Sequence, residues 1–169
     1  DGTGLAELEA ELGVGRKSLY DTFGNKRALY LASLEQYGDS VIADICAGLE
    51  RPGAGAFANL ERVLEKLARH HGSGASFGCL LGVGLAQVER ADTEVVAALR
   101  RGLARLEEAF ARTLQRALEA GELRPTVRPR DAALQLVAFA QGLALLGRCA
   151  DSPVALRGAV SATLDGLRA

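Results

Sequence analysis

Arg16, Lys17 and Ser18 follow one another directly after Gly15. A guanidinium, an ammonium and a hydroxyl on one short exposed helix suit phosphate oxygens and the acceptor edges of bases in a major groove. From Gly13 to Arg27 the basic residues Arg16, Lys17, Lys26 and Arg27 stand against Asp21 alone, a local net charge of +3. The twelve residues before Gly13 carry Asp1, Glu7, Glu9 and Glu11 and no basic residue. The chain as a whole has a net charge of −1, so it is no generic polyanion binder and any nucleic-acid contact must be local.

Two other groups have reactive side chains. Cys79 lies in Ser76-Phe77-Gly78-Cys79-Leu80-Leu81, at the expected start of a helix, where the helix dipole favours a thiolate. The plain alternative is a small buried hydrophobe. His70-His71 closes a helix, where partly positive rings are favoured, and the spacing demands no metal. No nucleophile–base pair, paired carboxylates or metal motif stands out, so no catalytic residue, metal or cofactor is expected. Cys46, Cys79 and Cys149 form no CxxC pair, and the expectation is a reduced, cytoplasmic protein. No apolar run is read as a membrane span.

Helices must position these groups. The 169 residues are 49% hydrophobic and rich in Ala, Leu, Arg and Glu, which predicts an all-α fold with a sizeable core. Thr3 is a candidate cap for a helix to about Leu12, with Leu5, Leu8 and Leu12 on one face. Gly13 breaks it, and a second short helix runs from about Gly15 to Asp21. Leu8, Leu12, Val14 and Leu19 are spaced to fill the small core between the two, a helix-turn-helix. Asn25 should cap a long helix from Lys26 to about Leu49, with Leu34, Tyr37, Val41, Ile45 and Leu49 facing inward. Further helices are expected near 57–71, 77–89, 93–120, 130–148 and 153–167. Asp92 should cap the longest, Gly121 should stop it, and Ser152-Pro153 should open the last.

The pattern Leu12-Gly13-Val14, Leu19-Tyr20, Phe23 and Asn25-Lys26-Arg27-Ala28-Leu29 resembles the DNA-binding signature of the TetR family of bacterial regulators, AcrR-like in kind. The order of helices afterwards also resembles that family. The resemblance implies a helix-turn-helix domain over 1–29 and a helical ligand-binding and dimerisation domain over 30–169. It implies that Tyr20 and Lys26 hold phosphates, that Thr3 caps the first helix of the motif and touches the DNA backbone, and that Arg16, Lys17 and Ser18 read or flank base edges. Gly15 and Thr22 depart from the residues usual in the family. Methionine is absent even at position 1, and the family's first, buttressing helix is expected upstream of Asp1.

The expected function is that of a repressor, not an enzyme. It would bind double-stranded operator DNA as a homodimer and leave it when an unknown, small, mostly hydrophobic effector binds, with no membrane partner. Tyr37, Phe57, His71, Phe77, Gln87 and Phe110 are the expected lining of the effector site. Apolar residues on several sides of the last two helices place the dimer interface at Leu136, Phe139, Leu143, Leu146, Leu156, Val160 and Leu164. The alternatives are a repressor that senses electrophiles or oxidants through Cys79, and a helical dimeric module that does not bind DNA.

Overall fold

Gly13 adopts the left-handed conformation (φ 65°) that closes helix α1, Leu5–Leu12, and lets helix α2, Arg16–Phe23, leave at an angle. The structure, a computed structural model, describes residues 4–74, 76–150 and 152–169, so the expected cap Thr3 lies outside the described residues. Gly4 caps α1 instead, its N–H donating to Glu7 Oε2 at 2.8 Å. Gly24, also left-handed, ends α2, and Asn25 Oδ1 accepts from the Ala28 N–H at 2.8 Å to start helix α3, Lys26–Tyr37. The inter-helix core is smaller than expected. Leu19 is buried and Leu8 half-buried, but Leu12 and Val14 stand exposed.

The helix begun at Lys26 continues to Leu49, with a fault in the middle. Gly38–Ile42 is a π-helical turn between α3 and helix α4, Ala43–Leu49, and the Ala43 N–H reaches back to the Gly38 carbonyl. A π turn holds one residue more than an α turn, so the inner face shifts by one position. Ile42 is therefore fully buried, and the expected Val41 faces solvent.

Helix α5, Ala56–His71, lies against α4, α7, α8 and α9. Helix α6, Leu80–Gln87, is shorter than the expected 77–89. Gly78 at φ 95° cannot continue a helix, and Val88 is already extended. Helix α7, Thr93–Glu119, is the spine. Asp92 Oδ1 accepts from the Val95 N–H at 3.2 Å, and Leu99, Phe110 and Leu114 have no exposed surface. Helix α8, Pro129–Leu146, packs along α7, a 3-10 turn covers Gly147–Cys149, and helix α9, Pro153–Leu167, crosses α5. Ser152 Oγ accepts from the Val154 N–H at 3.1 Å, as its cap position requires. Among the described residues no strand forms; one isolated antiparallel bridge joins Leu123 and Arg168.

Contrary to the sequence reading, the stretch Pro129–Cys149 is long and apolar enough to cross a membrane by length and composition, with a mean hydropathy of 1.4. Burial accounts for that composition: Ala133, Leu136 and Leu143 of α8 lie in the protein core. The same fact corrects the expected dimer contacts. Leu136, Leu143, Leu156, Val160 and Leu164 are at most 5% exposed within the single chain, so they have no surface to offer a second copy. Phe139 is half-buried, and Leu146 alone of the expected set is exposed. The apolar side chains turned outward on these helices are Leu134, Leu145, Leu146 and Val154.

Candidate functional site

On α2, Leu19 anchors one face and leaves the other in solvent. Arg16, Lys17, Ser18 and Tyr20 are all exposed, and so is Lys26 at the start of α3. Every described residue of the expected DNA-contacting set is thus exposed. The Arg16 guanidinium lies 3.6 Å from Glu9 on α1, a loose pair that leaves its other donors available. Among the described residues, Lys17 and Lys26 form no ion pair. Arg27, next to Lys26, is different. Its Nε and Nη2 donate to the Asp92 carboxylate at 2.9 and 2.7 Å, and its Nη1 lies 2.8 Å from Glu94. The Arg27 hydrogen bonds hold the Asp92 carboxyl below its ordinary range. Along the sequence Arg27 is visible only as local positive charge, because its acidic partners lie 65 and 67 positions away.

The six residues expected to line an effector cavity do not converge. Phe110 is fully buried in the core, and Phe57 is buried with the Arg168 guanidinium over its ring, 4.6 Å from the centroid. Phe77 projects from the loop before α6 and is 93% exposed, and Gln87 is exposed at the end of α6. The best-formed hollows, of about 380 and 400 Å³, are open grooves between α5 and α9 and around Arg112 and Arg130, and none of the six lines either. The physical reason is periodicity: helical spacing marks an inner face, but a filled core and a cavity wall share that spacing.

Two of the six do meet reactive partners. The Tyr37 hydroxyl donates to Cys79 Sγ at 3.6 Å, linking the end of α3 to the cap of α6. Burial, with Cys79 adding to it, pushes the Tyr37 hydroxyl above its ordinary range, so it stays a donor. Cys79 itself is buried, Cys149 is exposed, and burial pushes the half-buried Cys46 thiol up. His71 is buried, with Nδ1 2.7 Å from Ser76 Oγ, which also accepts from the Gly78 N–H at 3.2 Å. This histidine therefore holds the loop before α6 in place, and no metal-binding group of His, Cys, Asp or Glu occurs among the described residues.

The His71 environment sets a pH dependence. Burial, reinforced by His70, lowers its affinity for a proton below the ordinary value. The unfolded chain then binds more protons below about pH 6.5, and stability present at neutral pH is lost as the pH falls. Urea midpoints at pH 7.5 and 5.5 should differ more for the wild type than for His71→Gln. An equal drop in both proteins would remove His71 from the account.

Residues 57–163 match the family described as tetracyclin repressor-like, C-terminal domain. The chain belongs to that family. It is a family of transcriptional regulators, not of enzymes. Among relatives of the tetracyclin repressor-like chain is YezE, an HTH-type transcriptional regulator of Bacillus subtilis (strain 168), 32% identical over 124 residues. That match covers 73% of this chain and 63% of YezE. Escherichia coli NemR in its reduced form superposes with a TM-score of 0.81 at 20% identity, over 98% of this chain and 86% of NemR. A cysteine mutant of CifR, bound to 26-base-pair double-strand operator DNA, superposes with a TM-score of 0.83 at 19% identity, over 97% of this chain and 86% of CifR. At these identities the two structural matches establish a shared fold.

Proposed function

We propose that this protein is a homodimeric, sequence-specific DNA-binding repressor of transcription, working in the cytoplasm. Residues 1–29 form its DNA-binding module and residues 30–169 its sensing and dimerising body. The observation that carries this reading is the exposed set Arg16, Lys17, Ser18, Tyr20 and Lys26 around the buried Leu19. Exposed donors in the first turn of a short helix can enter a major groove, while Lys26 and Tyr20 would meet the flanking phosphates. The operator-bound CifR structure, with the same fold, supports the assignment. The unburied Leu134, Leu145, Leu146 and Val154 form the surface that a second copy would cover. The first test is a mobility shift of the DNA upstream of the protein's own coding region. A shift relieved by unlabelled copies of the same DNA, and not by random DNA, is the expected result. No shift under low salt would leave the helical module without DNA binding as the better reading.

The small hydrophobic effector loses support from the scattered lining residues, and the Tyr37–Cys79 contact favours the thiol alternative. A thiol added to an activated alkene forms a sulfur–carbon bond, opens the carbon–carbon double bond and passes its proton to the neighbouring carbon, with no oxidant consumed. Such an adduct on Cys79 replaces its S–H by a carbon substituent and puts bulk beside the Tyr37 hydroxyl, between α6 and α3. In a Cys46→Ser/Cys149→Ser background, N-ethylmaleimide should lower operator affinity by roughly 5–150-fold, the range of ordinary allosteric coupling. The further change Cys79→Ser should abolish that response. If Cys79→Ser protein still leaves the operator on treatment, the thiol reading is wrong, and a thermal-shift screen of hydrophobic compounds becomes the route to the effector.

A further inference from the structure

All three guanidinium nitrogens of Arg27 are engaged within the protein, two on Asp92 and one on Glu94. Arg27 is the second residue of α3, directly after Lys26, while Asp92 caps α7 and Glu94 lies in its first turn. The joint thus ties the start of the DNA-facing helix to the start of the longest helix of the body. One turn further along α3, the Tyr30 hydroxyl lies over Gly84 of α6, where any larger residue would collide with it. The connector between α6 and α7 is itself braced, by the Val88 N–H on the Gly84 carbonyl at 2.8 Å and the Asp92 N–H on the Glu89 carbonyl at 2.9 Å. Since α2 packs on α3, whatever fixes the first turn of α3 also fixes the angle at which α2 is presented.

We propose that Asp92 and Glu94 are positioning residues for DNA binding, acting through Arg27 to hold α2 and Lys26 at the angle the operator requires. This rests on the DNA-binding reading above. Arg27 then serves as a clasp on the body and not as a phosphate contact, because each of its three nitrogens already faces a carboxylate. Exposed ion pairs contribute little to folding stability, so the clasp can be opened without unfolding the protein. Orientation is another matter: a loose module must be ordered each time it binds, and binding weakens by that cost.

The test uses the full-length protein and a duplex that the wild type selects from a random pool. Asp92→Asn keeps a cap of equal quality and removes the charge, and Glu94→Gln does the same for the second carboxylate. The Asp92→Asn/Glu94→Gln protein should keep the wild-type melting temperature and salt slope but bind the duplex about fivefold or more weakly. Arg27→Gln should weaken binding to the same extent, and the triple variant should be no worse than either, the mark of groups acting as one unit. Wild-type affinity in Asp92→Asn/Glu94→Gln would overturn the proposal. So would a salt slope reduced by about 1 in Arg27→Gln alone, which would make Arg27 a phosphate contact. If the wild type selects no duplex at all, the DNA-binding reading falls, and this inference with it.

Discussion

A carboxylate at Leu143 is expected to leave little folded protein, whereas one at Leu145 or Leu146 is expected to leave the fold intact and separate the two copies of the proposed dimer. The three residues are near neighbours in sequence but differ in surface: Leu143 is 2% exposed, Leu145 64% and Leu146 59%. Removing a buried leucine side chain costs about 2–5 kcal/mol, and a buried unpaired carboxylate adds several more. Against a typical total stability of about 5–15 kcal/mol, Leu143→Glu removes most of what holds the chain folded. At Leu145 or Leu146 the new charge points into water in the single chain and meets apolar surface only when a second copy docks. Circular dichroism should show lost helix and early melting for Leu143→Glu alone. Sedimentation should show folded monomers for Leu145→Glu/Leu146→Glu. A dimer that survives the double change would move the interface away from the outer face of α8.

The second large effect concerns base preference. Arg16→Ala and Lys17→Ala should each alter selection at particular operator positions, by about 1–3 kcal/mol where a bidentate base contact is lost. Lys26→Ala should weaken all sequences alike. The difference follows from position: Arg16 and Lys17 lie in the first turn of α2, the helix proposed to enter the groove, while Lys26 begins the next helix. Arg16 also gives up its loose pairing with Glu9 on binding, so Glu9→Gln should strengthen binding modestly. Selection of duplexes from a randomised pool by each variant reads all of these at once. If Lys26→Ala shifts preference and Arg16→Ala does not, the helix assigned to the groove is the wrong one.

Much of this architecture is written in local spacing. Gly13, Asn25, Asp92 and Ser152 mark their helix boundaries through caps that depend on immediate neighbours, and each is found where the sequence puts it. The exposed donors of α2 are legible for the same reason, since a helix of eight residues with one buried leucine has only one way to face. What depends on distant partners is not legible. The π turn at Gly38–Ile42 moves burial from Val41 to Ile42, and nothing in the apolar pattern distinguishes those two positions. Excess apolar residues on α8 and α9 suggest a second copy, yet α5 and α7 already cover most of them. The same ambiguity spread the expected effector lining from the core at Phe110 to the surface at Phe77. Arg27 found its partners across the fold, and charge counting along the chain has no means to see that.

The claim on which the account rests is that the surface formed by α2 and the start of α3 contacts DNA. Its most direct test is the salt dependence of operator affinity for the wild type and for a variant with Arg16, Lys17 and Lys26 all changed to Ala. Each phosphate neutralised contributes about one to the slope of log affinity against log salt. The wild type should show a steep negative slope, and the triple variant a slope shallower by about 1, from the loss of Lys26, with an unchanged melting temperature. Equal slopes for the two proteins would contradict the account and put the DNA, if bound at all, on another face.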